Sequence, residues 1–250
     1  MSLLGLTGLF LAGLVAGFLN TLAGGGSLLT LPALMLLGLP ADVANGTNRL
    51  AIVAQSAAGV AAFHRAEQLP VAAVPGMLLP AGLGTLLGAI TASQVPAAVL
   101  EGVLLATLTA MAVVLAFAPR AAAPEPGAEE PHTLAERPFG WLGLFLAGCY
   151  GGFIQAGVGF VLLWVLGGML RYDLVRGNAL KAVCTTVFGL LSLGVFVVAG
   201  QVAWLPAIVL AGGTTLGATL SVRFALRAPG SIRWIVLGTV VAAVVAAWLR

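Results

Sequence analysis

Charge is what this chain of 250 residues has least of. Asp, Glu, Lys and Arg together make up 8% of it, against 60% hydrophobic residues. An ordinary soluble domain carries roughly 25% charged residues, so a fold bathed in water on all sides is excluded. Cysteine and histidine are scarce as well, at two each. Cys149 and Cys184 form no CxxC pair and have no histidine close in sequence, which leaves little material for a disulfide framework or a metal site. The chain also lacks GxSxG, HExxH and P-loop patterns, so neither an activated nucleophile nor a catalytic metal is indicated. No enzymatic activity and no cofactor is expected. The basic excess, a formal charge of +3 and a pI near 9.4, is spread among helix ends without clustering. That distribution lacks the footprint of nucleic-acid binding and reads as membrane-topology signals.

What the chain does have is apolar runs of 18 or more residues, long enough at 1.5 Å per residue to cross about 30 Å of hydrocarbon. They do not alternate in polarity, which excludes a transmembrane barrel and predicts an all-α polytopic membrane protein. The start, Met1-Ser2-Leu3-Leu4, has no basic region of the secretory type and is expected to be retained. Apolar segments fall at about 3–19, 27–37, 44–63, 71–92, 97–118, 139–155, 160–170, 178–199, 203–225 and 232–249. Two of them, 27–37 and 160–170, reach about half a bilayer, and each follows a glycine-rich break: Ala23-Gly24-Gly25-Gly26 and Ala156-Gly157-Val158-Gly159. Between Pro119 and Pro138 lies a polar stretch with five prolines, expected as a disordered linker. It divides the chain into a first transmembrane repeat, 1–118, and a second, 139–250.

The halves repeat. A shift of 133 residues places Ala23, Gly24, Gly26 and Leu29 on Ala156, Gly157, Gly159 and Leu162, and Asn45 on Asn178. It also places Phe63, Ala66 and Gln68 on Phe196, Ala199 and Gln201, and Leu83, Gly84 and Leu87 on Leu216, Gly217 and Leu220. Apolar sequences match by chance through Leu and Ala; an ungapped recurrence of glycines, an asparagine and a glutamine does not arise that way. If each broken segment crosses the membrane, the eleven Lys and Arg divide seven to four; if each dips in and returns, they divide nine to two. Positive residues favour the cytoplasmic face, so two glycine-broken re-entrant hairpins are expected. Each half then holds three crossings and a hairpin, an odd count that makes two inverted helical repeats with both termini facing outward.

Non-helical backbone at membrane depth is tolerated only against protein or a water-filled cavity, which makes Gly24, Gly25, Gly26, Gly157 and Gly159 candidate walls of a binding cavity. Helices that begin there aim unpaired N–H groups at the break, a setting that suits an anion. A second constellation is Asn45, Asn48 and Arg49 in the first half, matched by Asn178 and Lys181 in the second. Each asparagine is expected at the start of an apolar helix with a cation one turn on, and intramembrane cations usually mark a pathway. Gln55 and Gln155, like Asn20, are uncharged groups that can replace hydration water, or equally bond helix to helix. Gln55 lies six residues after Arg49 and is expected to face another side.

The run Gly17-Phe18-Leu19-Asn20, Ala23-Gly24-Gly25-Gly26-Ser27-Leu28-Leu29-Thr30-Leu31-Pro32 and Ala44-Asn45-Gly46-Thr47-Asn48-Arg49 resembles the sulfite exporter TauE/SafE family of membrane permeases. Gly152-Phe153 and Arg176-Gly177-Asn178-Ala179-Leu180-Lys181-Ala182 resemble that family's second repeat, so the likeness covers nearly the whole chain. The resemblance implies a secondary transporter, in the exporting direction, of small sulfur-containing anions such as sulfite or organosulfonates. It further implies a place in the cell inner membrane, proton coupling and a homodimer. By resemblance Asn45, Asn48, Arg49, Asn178 and Lys181 take the substrate role. The mechanism to expect is alternating access, with the hairpin tips meeting near the midplane and both cations neutralising one anion. An anion channel built on the same site is the alternative.

Overall fold

The computed structural model describes residues 2–23, 26–117 and 130–225. All regular structure among them is helical. In chain order the elements are α1 (Leu3–Ala23), α2 (Ser27–Leu36), α3 (Ala41–Arg65), α4 (Val74–Gln94), α5 (Ala97–Phe117), α6 (Pro138–Phe153), α7 (Val158–Leu163), α8 (Leu174–Val198) and α9 (Trp204–Ala225). A single 3-10 turn, Val71–Ala73, leads into α4, and α7 runs on into a π-helical turn, Trp164–Met169. Stretches within α1, α4, α8 and α9 are long and apolar enough to cross a membrane. The last apolar segment of the sequence, 232–249, lies outside the described residues, as do Gly24 and Gly25.

The repeat read from the sequence recurs in the backbone. Both ends of α8 fall 133 residues beyond those of α3 (41 to 174, 65 to 198). The caps recur in the same register. After α3, Gln68 N–H reaches the Phe63 carbonyl and Glu67 takes φ 56°; after α8, Gln201 N–H reaches Phe196 and Gly200 takes φ 71°. This is the Schellman ending, whose reversed residue must adopt the left-handed conformation. The turn after α2 uses Gly38, φ 89°, and its counterpart after the π turn is Arg171, φ 62°.

α1 ends at Ala23 and α2 begins at Ser27, and α6 ends at Phe153 and α7 begins at Val158; in each pair the second helix lies back along the first. Gly26, at the head of α2, sits against the Ala16 carbonyl and Asn20, while Gly5 near the start of α1 meets Leu37 beyond the end of α2. α1 and α2 therefore lie antiparallel as a hairpin. The second break does the same: Gly151 near the end of α6 faces Val158, and Gly140 near its start faces Leu170. The π turn arises where the ladder skips a residue, with Leu170 N–H reaching Val165 and Tyr172 N–H reaching Leu166.

Contacts across the halves hold the bundle together. α1 runs parallel to α9, with carbonyls of Leu14 and Thr214 lying where a Cβ on Gly217 or Gly17 would stand. α4 and α6 pair in the same way, through Gly84 and Gly88 on Phe145 and Cys149, and Gly148 and Gly152 on Ala81 and Thr85. In lipid no hydrophobic drive separates helix from solvent, so such backbone-to-backbone approach at small residues is what binds helices. At the centre α3 and α8 run antiparallel: Gly189 faces Ile52 and Val53, Thr185 bonds Ser56, and Gly59 faces Ala182. Outward-facing Leu79, Leu83, Leu87 and Ile90 on α4 and Leu205 and Ile208 on α9 are exposed apolar groups that suit lipid, not water.

The bundle has two distinct ends. One gathers Leu37, Leu39 and Val95 into one apolar cluster, and there Gln201 bonds Asp42 and the Ser93 carbonyl. The other gathers Leu69, Val74, Leu134, Leu170 and Tyr172. Residues 130–137, placed by the sequence in the disordered linker, are ordered here at the mouth of the second hairpin. His132 N–H bonds the Leu170 carbonyl at 2.9 Å, and Thr133 and Glu136 exchange backbone-to-side-chain bonds of 2.7 and 3.3 Å. The bonds from Thr133 hold the Glu136 carboxyl below its ordinary pKa.

Candidate functional site

The polar centre of the first half is Arg49, fully buried on α3. Asn45 and Arg49 lie one and two turns inside α3, because the helix begins earlier than its asparagine, at Ala41 behind Pro40. Likewise Asp173 caps α8 through bonds from Val175 and Arg176 N–H, which places Asn178 one turn in. The expectation that each asparagine starts its helix is corrected accordingly. The Arg49 guanidinium closes the open end of α6. One terminal nitrogen donates to the Gly151 carbonyl and, at 2.6 Å, to Gln155 Oε1. The other donates to Asn45 Oδ1 at 3.0 Å and to the Gly152 and Phe153 carbonyls at 2.9 and 3.2 Å. Asn45 adds its own bond to the Phe153 carbonyl at 2.8 Å, and the Phe196 ring lies 5.2 Å from the guanidinium carbon. The last carbonyls of a helix have no partner within it and carry partial negative charge, so a cation there is stabilising on both counts.

Lys181 does the corresponding work in the second half, at the end of α1. Its Nζ donates to the Asn20 and Thr21 carbonyls at 3.2 and 3.5 Å and to Asn178 Oδ1 at 2.6 Å. Each cation thus caps the broken helix of the opposite half. The surroundings differ. Lys181 lines a small, partly open cleft together with Asn178 and Thr185 from α8, Gln55, Ser56 and Phe63 from α3, and Asn20 and Thr21 from α1. Gln55 Oε1 is buried there with no partner among the described residues. Among the described residues neither cation has a carboxylate as a hydrogen-bond partner.

These contacts separate the residues that sequence reasoning had joined. Gln55, Asn178 and Lys181 share the pocket; Asn45, Arg49 and Gln155 form the other centre. Asn48 belongs to neither, since it ties α3 to α2, bonding Thr30 Oγ1 at 2.7 Å and Ser27 Oγ at 3.4 Å. Along the antiparallel α3 and α8, the two cations stand about 11 residues apart, which at 1.5 Å per residue is about 16 Å. The expectation that both meet one anion at the midplane is therefore corrected: each hairpin tip passes the middle of the bundle to reach the other half's cation. The glycines shape the breaks. Gly26 N–H bonds Asn20 Oδ1 at 3.2 Å, Gly157 takes φ 73° beneath Met111, and Gly159 is buried within α7. Sequence reasoning missed Ser56 and Thr185, although Thr185, one turn after Lys181, shares its face.

A membrane chain whose halves trade helix-capping cations around a polar cleft has the parts of a permease, and comparison with known proteins decides the family. The model of the family described as "Sulfite exporter TauE/SafE" matches residues 9–247. The chain belongs to the TauE/SafE family. A "Probable membrane transporter protein" of Haemophilus influenzae is 28% identical over 218 residues, covering 87% of this chain and 84% of the relative. One from Sinorhizobium sp, "Probable membrane transporter protein ORF9", is 31% identical over 231 residues, covering 87% and 82%. "Probable membrane transporter protein YfcA" of Escherichia coli K12 is 26% identical over 219 residues, covering 87% and 80%. No solved structure matches the chain. This TauE/SafE protein is a membrane transporter and not an enzyme.

Proposed function

We propose that this TauE/SafE protein exports small sulfur-containing oxyanions across the inner membrane by alternating access, with the Lys181 pocket as the substrate site in the present state. The observation that carries the reading is an ammonium buried to 4% exposure, with no carboxylate partner among the described residues, lining a polar cleft. A buried charge is tolerated when paired, and the missing partner here is an anion. Asn178, Gln55, Ser56 and Thr185 supply neutral polar groups that replace hydration water as an anion enters. The family's description supports a sulfur oxyanion, and the antiparallel run of α3 and α8, which correspond in the repeat, supports inverted halves.

The test is saturable, concentration-dependent uptake of ³⁵S-sulfite and ¹⁴C-methanesulfonate by proteoliposomes. Lys181→Gln keeps the bonds of an amide to the α1 carbonyls and removes the charge. Loss of one partner of a buried charged contact costs about 2 kcal/mol or more, so affinity should fall by about 30-fold. Flux that is unaffected by Lys181→Gln, or flux that never saturates, would sink the assignment.

A further inference from the structure

The two capped breaks occupy equivalent places in the repeat but differ in state. Asn45 and Asn178 are register mates, and each bonds the cation one turn on, Arg49 in one half and Lys181 in the other. On the Arg49 side the tip of α6 is drawn fully onto the cation, with three carbonyls and two side chains engaged. On the Lys181 side, among the described residues, the tip of α1 lends two carbonyls at 3.2 and 3.5 Å, Asn178 adds a bond of 2.6 Å, and a cleft remains beside them. Of the described carbonyls, those of α6 make the closer approach to their cation.

The Arg49 centre is nevertheless incomplete. Arg49 Nε and Gln155 Nε2 are buried donors with no partner among the described residues, although Arg49 is fully buried and Gln155 is 2% exposed. A buried donor left unmade costs about 1–3 kcal/mol. The orientation of the Gln155 amide is fixed by its Oε1, which accepts from Arg49. Two unmet donors on and beside an uncompensated guanidinium define a place for an acceptor of negative charge.

Resting on the reading of Lys181 given above, we propose that Arg49 is a second seat for the same class of small anion, exposed in the opposite state of the transporter. In that state the α6 tip withdraws from Arg49 and carries Gln155 with it, and the freed guanidinium takes the anion toward the Leu37, Val95 and Gln201 end of the bundle. The α1 tip then closes on Lys181 as the α6 tip now closes on Arg49. Substrate is handed between two charges about 16 Å apart along α3 and α8 instead of being held by both. The helix-end carbonyls at each seat serve as stand-ins for the anion when that seat is empty, so neither cation is left bare.

Arg49 itself is a poor variant, since removing it strands three helix-end carbonyls. The test instead uses reporters at register-matched positions, Thr185→Cys in the Lys181 pocket and Ile52→Cys near Arg49, with Cys149 and Cys184 replaced by Ala. Alkylation by a maleimide is followed in purified, monodisperse protein. Gln155→Leu, which removes one latch from the α6 tip, should raise labelling of Ile52→Cys several-fold and lower that of Thr185→Cys. Saturating methanesulfonate should slow Thr185→Cys labelling in the parent protein and Ile52→Cys labelling in the Gln155→Leu protein. If Gln155→Leu changes one reporter alone, or raises both, the reciprocal seats do not exist. That failure would leave the Lys181 site and its flux standing, because the latch response needs no substrate and the flux test needs no Ile52 reporter.

Discussion

At the scale of single residues, the repeat offers a comparison within one molecule. The turns after α3 and α8 have the same hydrogen bonds, yet the left-handed position is Glu67 in one and Gly200 in the other. An L-residue there meets its own carbonyl at a cost of about 1–2 kcal/mol, which glycine avoids, while glycine's freer unfolded chain returns part of that. Glu67 is exposed, so its side chain contributes little to hold it there. Glu67→Gly is therefore expected to stabilise by about 0.5–1 kcal/mol, seen as a rise of a few degrees in the thermal midpoint in detergent. Gly200→Ala should lower the midpoint, although no atom stands within 4 Å of the added methyl, because the penalty is in the backbone. Equal midpoints for Gly200→Ala and the parent would remove the left-handed strain from the account.

At the scale of elements, glycine has two meanings that its abundance alone does not separate. Gly8 on α1 has nothing near it, whereas a methyl on Gly17 of the same helix would stand on the Thr214 carbonyl of α9. In a helix interior alanine is otherwise favoured over glycine by about 1 kcal/mol. Gly8→Ala should thus leave stability unchanged or raised, and Gly17→Ala should lower it by about 1–3 kcal/mol, the usual cost of overpacking; thermal unfolding of the pair in one detergent checks both. A Gly17→Ala protein as stable as the Gly8→Ala protein would mean that α1 and α9 do not meet through this face. The sequence made the glycine-rich stretches and the recurrence of α3 in α8 legible, because glycine runs and polar residues in apolar segments stand out locally. It did not disclose that α1 pairs with α9 and α6 with α4. Nor did it tell that Arg49 reaches the carbonyls of residues 151–153, about a hundred positions away: any helix end offers the same unpaired carbonyls, and periodicity names a face without naming its neighbour. The joint pocket expected for Arg49 and Lys181 failed for that reason, since two register-matched cations on antiparallel helices are carried apart by the length between them.

At the scale of the whole molecule, the hairpins decide which loops share a side. Because α1 and α2 fold back on each other, Ser2 and Pro40 lie toward one end; α3 then carries the chain to Ala66 at the other, where Leu69, Val74 and Leu134 gather. A broken segment that crossed instead would return Ala66 to the side of Ser2. Among the described residues Arg65, Arg137, Arg171 and Arg176 lie at the end with Ala66, an excess expected of a cytoplasmic face. Single cysteines at Ser2, Ala66 and Glu130, each exposed, in a background with Cys149 and Cys184 replaced by Ala, read this directly. In intact cells stripped of outer membrane, an impermeant maleimide should label Ser2→Cys, and should reach Ala66→Cys and Glu130→Cys only after the membrane is permeabilised. Labelling of all three from outside would favour full crossings, and with them the seven-to-four division of charge. Labelling of the last two alone would keep the hairpins but reverse the protein, and with it the side from which the Lys181 pocket is entered.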